Sequence, residues 1–169
     1  LEEAIQKFGS REGSEECHVL LSHFVSGRER DRALDQAIRI RPRYALALFF
    51  RGIARQQRRE WDAALEDFNA ALRINPRFAQ AYLNRGNLYD SVGKREAAME
   101  DFSRAIETDP TMAAGYFNRA NARLRDGDLD GAIADFTRTA ELDPDFTGIY
   151  FNRAIAYERK KEPDKALAD

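Results

Sequence analysis

The sequence predicts an all-α fold, an α-solenoid of stacked antiparallel helix pairs, and three observations carry that expectation. Prolines fall at 42, 76, 110 and 144, spaced 34 residues each time. On the same register Ala64, Ala98, Ala132 and Ala166 superimpose, and so do Phe68, Phe102 and Phe136. A small residue recurs at Gly52, Gly86, Ala120 and Ala154. A fixed period of this size marks an array in which each unit buries its apolar face against its neighbours.

The unit is clearest from Ala45 to Phe78 and reads as two helices. First helices are expected near 43–57, 77–91, 111–125 and 145–159, and second helices near 60–73, 94–107, 128–141 and from 162 onward. The dipeptides Asn75-Pro76, Asp109-Pro110 and Asp143-Pro144 predict a side-chain N-cap followed by a proline in the first turn, where its missing N–H costs nothing. Arg41-Pro42 lacks that acceptor. Between paired helices Gly93 and Gly127 allow positive φ, whereas Arg58 and Arg59 occupy the equivalent turn of the first full unit. Tyr82, Gly86 and Tyr89 share one face of a first helix, and Ala98, Phe102 and Ala105 share one face of a second. The small residues let the axes approach, and the aromatics fill the space around them.

Before the regular units the pattern weakens. Leu1 to Phe8 has the Ala4/Phe8 spacing of a second helix, and a Gly/Ser-rich, charged segment follows it. Val19, Leu20 and Phe24 suggest a helix from about Glu15 to Ser26 closed by Gly27. Leu34, Ala37 and Ile38 then place a second helix over Arg28 to Ile40. The expected organisation is a partial helix and irregular linker over 1–14, a degenerate repeat over 15–44, and an array of three full repeats and one truncated repeat over 45–169. Both ends stop in mid-unit, so the chain reads as an excerpt of a longer protein.

Tyr82, Gly86, Tyr89, Ala98, Phe102, Ala105 and Pro110 together resemble the tetratricopeptide repeat, and the resemblance covers Ala45 to Asp169. It implies a right-handed superhelix whose first helices line a concave groove that binds an extended peptide or a helix. One departure is regular. The leucine expected before the small residue is an arginine, at Arg51, Arg85, Arg119 and Arg153. Each has an aspartate sixteen residues on, at Asp67, Asp101, Asp135 and Asp169, which predicts a salt bridge within each repeat, bidentate where geometry permits. A row of arginines open to phosphate or carboxylate is the alternative.

On the face that the resemblance assigns to the groove stand Phe49, Leu83, Phe117 and Phe151, beside Asn84, Asn118 and Asn152. One turn further come Asn87 and Asn121. An asparagine carries donor and acceptor on one fork, so a row of them can grip the backbone of an extended peptide without reading its sequence, with aromatics supplying contact area. The same asparagines would serve equally to tie neighbouring helices together, and some of the phenylalanines would serve as core. A clamp for two carboxylates needs lysines on this face. Leu46, Gln80, Ala114 and Gly148 occupy the nearest row, which disfavours a C-terminal acidic peptide.

Composition narrows the remaining classes. The chain has 169 residues, 43% hydrophobic and 33% charged, with eleven Phe and six Tyr, which suits a folded array with much surface per residue. A net charge of −2 and a pI near 5.8 set up no field for nucleic acid. No apolar run reaches the roughly 18 residues of a membrane span. Cys17 stands alone, so no internal disulfide forms, which leans towards the cytoplasm, while the opening at Leu1 leaves a removed secretion signal open. His18 and His23 fall on different helix faces and make no metal spacing, and no glycine-rich phosphate loop or serine elbow is present. No catalytic residue, metal or cofactor is expected.

The leading functional expectation is a scaffold that binds a protein or peptide segment in its groove. Two alternatives stand beside it. One is the regulatory or substrate-recruiting arm of a larger enzyme such as a protein glycosyltransferase, and the other is a self-associating module that stacks through uncapped repeat ends.

Overall fold

The computed structural model of the chain describes residues 27–169. The expected helices over 1–8 and 15–26, together with Cys17, His18 and His23, lie outside the described residues. The described chain is all-α. Its helices are α1 (Gly27–Ile40), α2 (Ala45–Gln57), α3 (Trp61–Ile74), α4 (Ala79–Ser91), α5 (Arg95–Thr108), α6 (Ala113–Asp126), α7 (Leu129–Leu142), α8 (Gly148–Arg159) and α9 (Pro163–Ala168). The described chain divides between Ala81 and Tyr82 into two compact units.

The turns within each pair share one backbone device. Arg59, Gly93, Gly127 and Lys161, 34 residues apart, hold φ of 61°, 78°, 85° and 63°. The following N–H, from Glu60, Lys94, Asp128 or Glu162, donates back to the carbonyl of Arg55, Tyr89, Arg123 or Tyr157 at 3.0, 2.8, 2.9 and 2.9 Å. This satisfies carbonyls that a helix end would leave orphaned. Glycine adopts such a φ freely, whereas Arg59 and Lys161 do so against the steric preference of an L side chain.

The turns between pairs differ from the sequence expectation. The first helices begin two to three residues later than expected, at Ala45, Ala79, Ala113 and Gly148. Asn75, Asp109 and Asp143 are C-caps of the preceding second helices instead of N-caps of the following ones. Asn75 Oδ1 accepts the N–H of Arg77 at 3.1 Å, and Asp109 Oδ1 accepts the N–H of Thr111 at 3.0 Å and its hydroxyl at 2.7 Å. A short polar side chain closing a turn over its own backbone two residues on is satisfied before the helix begins, and this competes with capping. The N-caps of the following helices are Tyr44, Met112 and Thr147, none of which makes a side-chain cap bond.

Each unit has its own core. In the first, Leu34, Ala37 and Ala47 cluster, with Ile38, Tyr44 and Phe50 packed on them, and Phe68 is fully buried between α2 and α3. A Cβ at Gly52 would lie 2.8 Å from the Phe68 ring, so the glycine sets how closely α2 approaches α3. In the second, Gly86 meets Phe102 at the same 2.8 Å. One cluster gathers Ala98, Phe102 and Ala122, and another gathers Ala120, Ala132, Phe136, Ile149 and Ala156. The repeated phenylalanine thus pins three hairpins, α2–α3, α4–α5 and α6–α7, with one buried ring and one small residue per pair.

Candidate functional site

The arginine and aspartate rows meet in every pair. Arg51 Nε and Nη2 donate to the two carboxylate oxygens of Asp67 at 3.0 and 2.7 Å, Arg85 to Asp101 at 2.7 and 2.6 Å, and Arg119 to Asp135 at 2.8 and 2.9 Å. Arg153 grips both oxygens of Asp169 in the same way. The remaining Nη1 reaches the preceding second helix: Arg51 to Asp35 at 2.9 Å, Arg119 to Ser103 at 3.2 Å, and Arg153 to Thr137 at 3.1 Å. Guanidinium planes also lie over Tyr82, Tyr116 and Tyr150, at 5.6, 5.8 and 5.6 Å. With both edges engaged, Arg51, Arg119 and Arg153 have no fork left for a ligand, and they act as framework.

The aspartates at the centre of these pairs are buried, Asp67 at 3%, Asp101 at 2% and Asp135 at 4% exposure. Arg55 and Arg123 add a second guanidinium to Asp67 and Asp135, each at 2.8 Å. Tyr89 stands at that position beside Asp101 in the intervening repeat. Burial pushes the Asp101 carboxyl above its ordinary value, by more than the hydrogen bond and charge of Arg85 pull it down. The Arg119 guanidinium is held up chiefly by its hydrogen bonds to Asp135.

The asparagines form a second row, on the first helices of the second unit. Asn118 Nδ2 on α6 donates to Asn87 Oδ1 on α4 at 2.7 Å, and Asn152 Nδ2 on α8 donates to Asn121 Oδ1 on α6 at 3.1 Å. They therefore tie successive first helices together. Each pair spends one N–H and one carbonyl, and a carboxamide has two of the former and two acceptor lone pairs. The amides consequently keep hydrogen-bonding capacity for a ligand while being held in place by one another.

Asn87, Asn118 and Asn121 line an open cleft of about 340 Å³ formed by α4, α6 and α8. Leu124 and Ile155 line it as well, together with Phe102 from α5. Its far end is charged. Arg125 Nη2 donates to Asp90 Oδ1 at 2.6 Å, and Arg159 Nη1 donates to the carbonyl of Leu124 at 3.1 Å.

The other expected contact residues fall elsewhere. Phe49 is a correction: at 6% exposure it is packed among Phe50, Phe68 and Phe78, so it is core and offers no surface. Phe78 covers it at 4.7 Å, as Phe146 covers Phe117 at 4.7 Å, each ring coming from the turn that opens the next pair. Leu83 is partly buried against Ala98, Phe102 and Ala122. Phe151 is 71% exposed on α8, and Asn84 lies half-buried on α4. Sequence reasoning missed Asp90, Leu124, Arg125, Ile155 and Arg159. Helical periodicity extended one more turn from Asn87 and Asn121 reaches 90, 124 and 125 on the same face, so that signal was present.

Comparison with known proteins agrees with this architecture. Models described as tetratricopeptide repeat match residues 79–112 and 117–169, and one described as TPR repeat matches 54–93. No curated protein matches the chain in sequence. Among solved structures, pilF of Pseudomonas aeruginosa is similar at a TM-score of 0.83 and 19% identity, covering 91% of this chain and 72% of that one. MamA of Desulfovibrio magneticus RS-1 is similar at 0.78 and 19%, covering 91% and 89%. YrrB, described as a TPR protein with an unusual peptide-binding site, is similar at 0.77 and 23%, covering 99% and 87%. Identities this low speak to the fold alone.

Proposed function

Because the chain belongs to the tetratricopeptide repeat family, we propose that it is a protein-interaction scaffold that holds an extended peptide segment in the cleft of α4, α6 and α8. One observation carries this: three carboxamides, Asn87, Asn118 and Asn121, converge on one open cleft and are positioned by hydrogen bonds to neighbouring asparagines. Side chains held on helices by their own partners lose little rotamer entropy on binding. A peptide backbone presents alternating N–H and C=O groups, which amides satisfy without regard to side chains. Each such bond contributes about 0.5–1.5 kcal/mol net, so affinity requires several together. The fold shared with YrrB, whose description names a peptide-binding site, supports the same class of ligand.

The test is selection of random peptides displayed on phage by the whole chain, compared with an Asn118→Ala/Asn121→Ala double variant. The reading expects reproducible enrichment by the wild type and its loss in a variant that keeps the helical circular dichroism signal. Equal enrichment by both chains, or none by the wild type, contradicts it.

A further inference from the structure

We infer that the cleft selects peptides carrying an internal acidic side chain, whose carboxylate is received by Arg159 and, beside it, Arg125. This rests on the groove reading above and names the ligand chemistry. The carboxamide row is neutral and cannot discriminate by charge, so any preference must come from the charged end of the cleft. Three ionised groups stand there: Asp90, Arg125 and Arg159. Asp90 and Arg125 neutralise one another at 2.6 Å. Arg159 donates to a backbone carbonyl at 3.1 Å, an uncharged acceptor, so the cleft end carries a surplus of one positive charge among the described residues. A guanidinium already bound through one Nη to the carbonyl of Leu124 is oriented, and its other N–H groups are available to a carboxylate.

The surrounding lining favours the same ligand. Leu124 and Ile155 line the same cleft and offer apolar contact to the part of a peptide next to the acidic side chain, while Arg125 and Arg159 stand exposed where that side chain can reach them. Asp90 gives the site a selectivity filter. It repels a carboxylate that strays towards α4, while its bond to Arg125 splits that guanidinium between protein and ligand. This site lies about three turns along the helix from the row of Gln80, Ala114 and Gly148, so it takes a side-chain carboxylate and not a terminal pair.

The experiment uses the same displayed random-peptide library, read by sequencing, against the wild type and three variants: Arg159→Gln, Arg159→Lys and Asp90→Asn. Enriched wild-type pools are expected to show one position with Asp or Glu raised roughly threefold or more over the library. In Arg159→Gln that excess falls to the library level while enrichment persists. Arg159→Lys keeps a reduced excess, because charge remains and the fork is lost, and this variant guards against simple misfolding. Asp90→Asn strengthens the acidic preference by freeing Arg125. A synthesised wild-type winner is then compared with its acid-to-amide version; Kd is expected to weaken roughly fivefold against the wild type and not against Arg159→Gln. Enriched pools without acidic excess, or with a Lys/Arg excess directed at Asp90, overturn this inference and leave the groove reading standing. An acidic excess that survives in Arg159→Gln also overturns it. Absence of any wild-type enrichment overturns both.

Discussion

Asn118 donates from α6 to Asn87 on α4 at 2.7 Å, linking two first helices whose residues lie 31 positions apart. The bond does two things at once, since it joins neighbouring repeats and aims the unspent amide groups at the cleft. Removing the donor leaves a part-buried carbonyl unmatched. Asn118→Ala is expected to lower unfolding free energy by about 1 kcal/mol. In a double-mutant cycle with Asn87→Ala the two losses should be less than additive, since both remove one bond. Urea midpoints measure this, and strict additivity would show that the bond does not form.

The buried aspartates hold their hairpins through paired guanidinium bonds, so removing one partner strands the other. Asp135→Ala, which deprives both Arg119 and Arg123, is expected to cost about 3 kcal/mol. Asp62→Ala, an exposed carboxylate on α3, should change stability by less than about 0.5 kcal/mol. Chemical denaturation of the two variants side by side distinguishes a framework role from a decorative one.

Asp101 behaves differently with pH. Its carboxyl is held above its ordinary value by burial, so the folded state binds its proton more tightly than the unfolded chain. Such a group contributes stability that is present below the unfolded value and lost as pH rises through the folded one. The stability of the wild type minus that of Asp101→Asn should therefore increase when urea melts are repeated at pH 4 instead of pH 7. A difference that shrinks at pH 4 contradicts the direction of the shift.

Backbone strain in the hairpin turns predicts opposite signs at equivalent sites. Arg59 holds φ 61° where two other repeats have glycine. Arg59→Gly is expected to raise the thermal midpoint slightly, by relief of about 1 kcal/mol offset in part by glycine's greater freedom when unfolded. Gly127→Ala, at φ 85°, should lower stability by about 1 kcal/mol.

The approach of paired helices yields the remaining prediction. A Cβ at Gly86 would stand 2.8 Å from Cε1 of Phe102 and 3.2 Å from Cβ of Asp101, so both ring and helix must shift. Gly86→Ala is expected to cost about 1–3 kcal/mol in thermal or urea unfolding. A neutral outcome would show that the hairpin accommodates alanine there, as its counterparts at 120 and 154 do.

Much of the fold was legible because period and chemistry repeat together. Four prolines, three buried phenylalanines and the arginine and aspartate offset of sixteen all report one geometry, and a repeated constraint outweighs the ambiguity of any single helix. The turn at Asp109 was harder to read. An Asx-Pro pair looks the same whether its oxygen caps a helix or closes a turn, and only the backbone decides that Thr111 receives it. The candidate site was half legible. The helical stripe points to Asn87, Asn118 and Asn121, but Phe49 occupies the same stripe and is covered by Phe78, a ring from the next junction that one-helix periodicity does not see. Arg159 matters through its place beside Leu124 and Ile155, a juxtaposition of two helices that spacing along one helix cannot supply.

The most direct measurement is a nuclear magnetic resonance titration of the whole chain with a phage-selected peptide, following the side-chain amide signals of asparagine. The account predicts that the carboxamides of Asn87, Asn118 and Asn121 shift or broaden together with the backbone of α4, α6 and α8 around the cleft. Perturbation confined to the second helices α5 and α7, with those three amides unmoved, would contradict it.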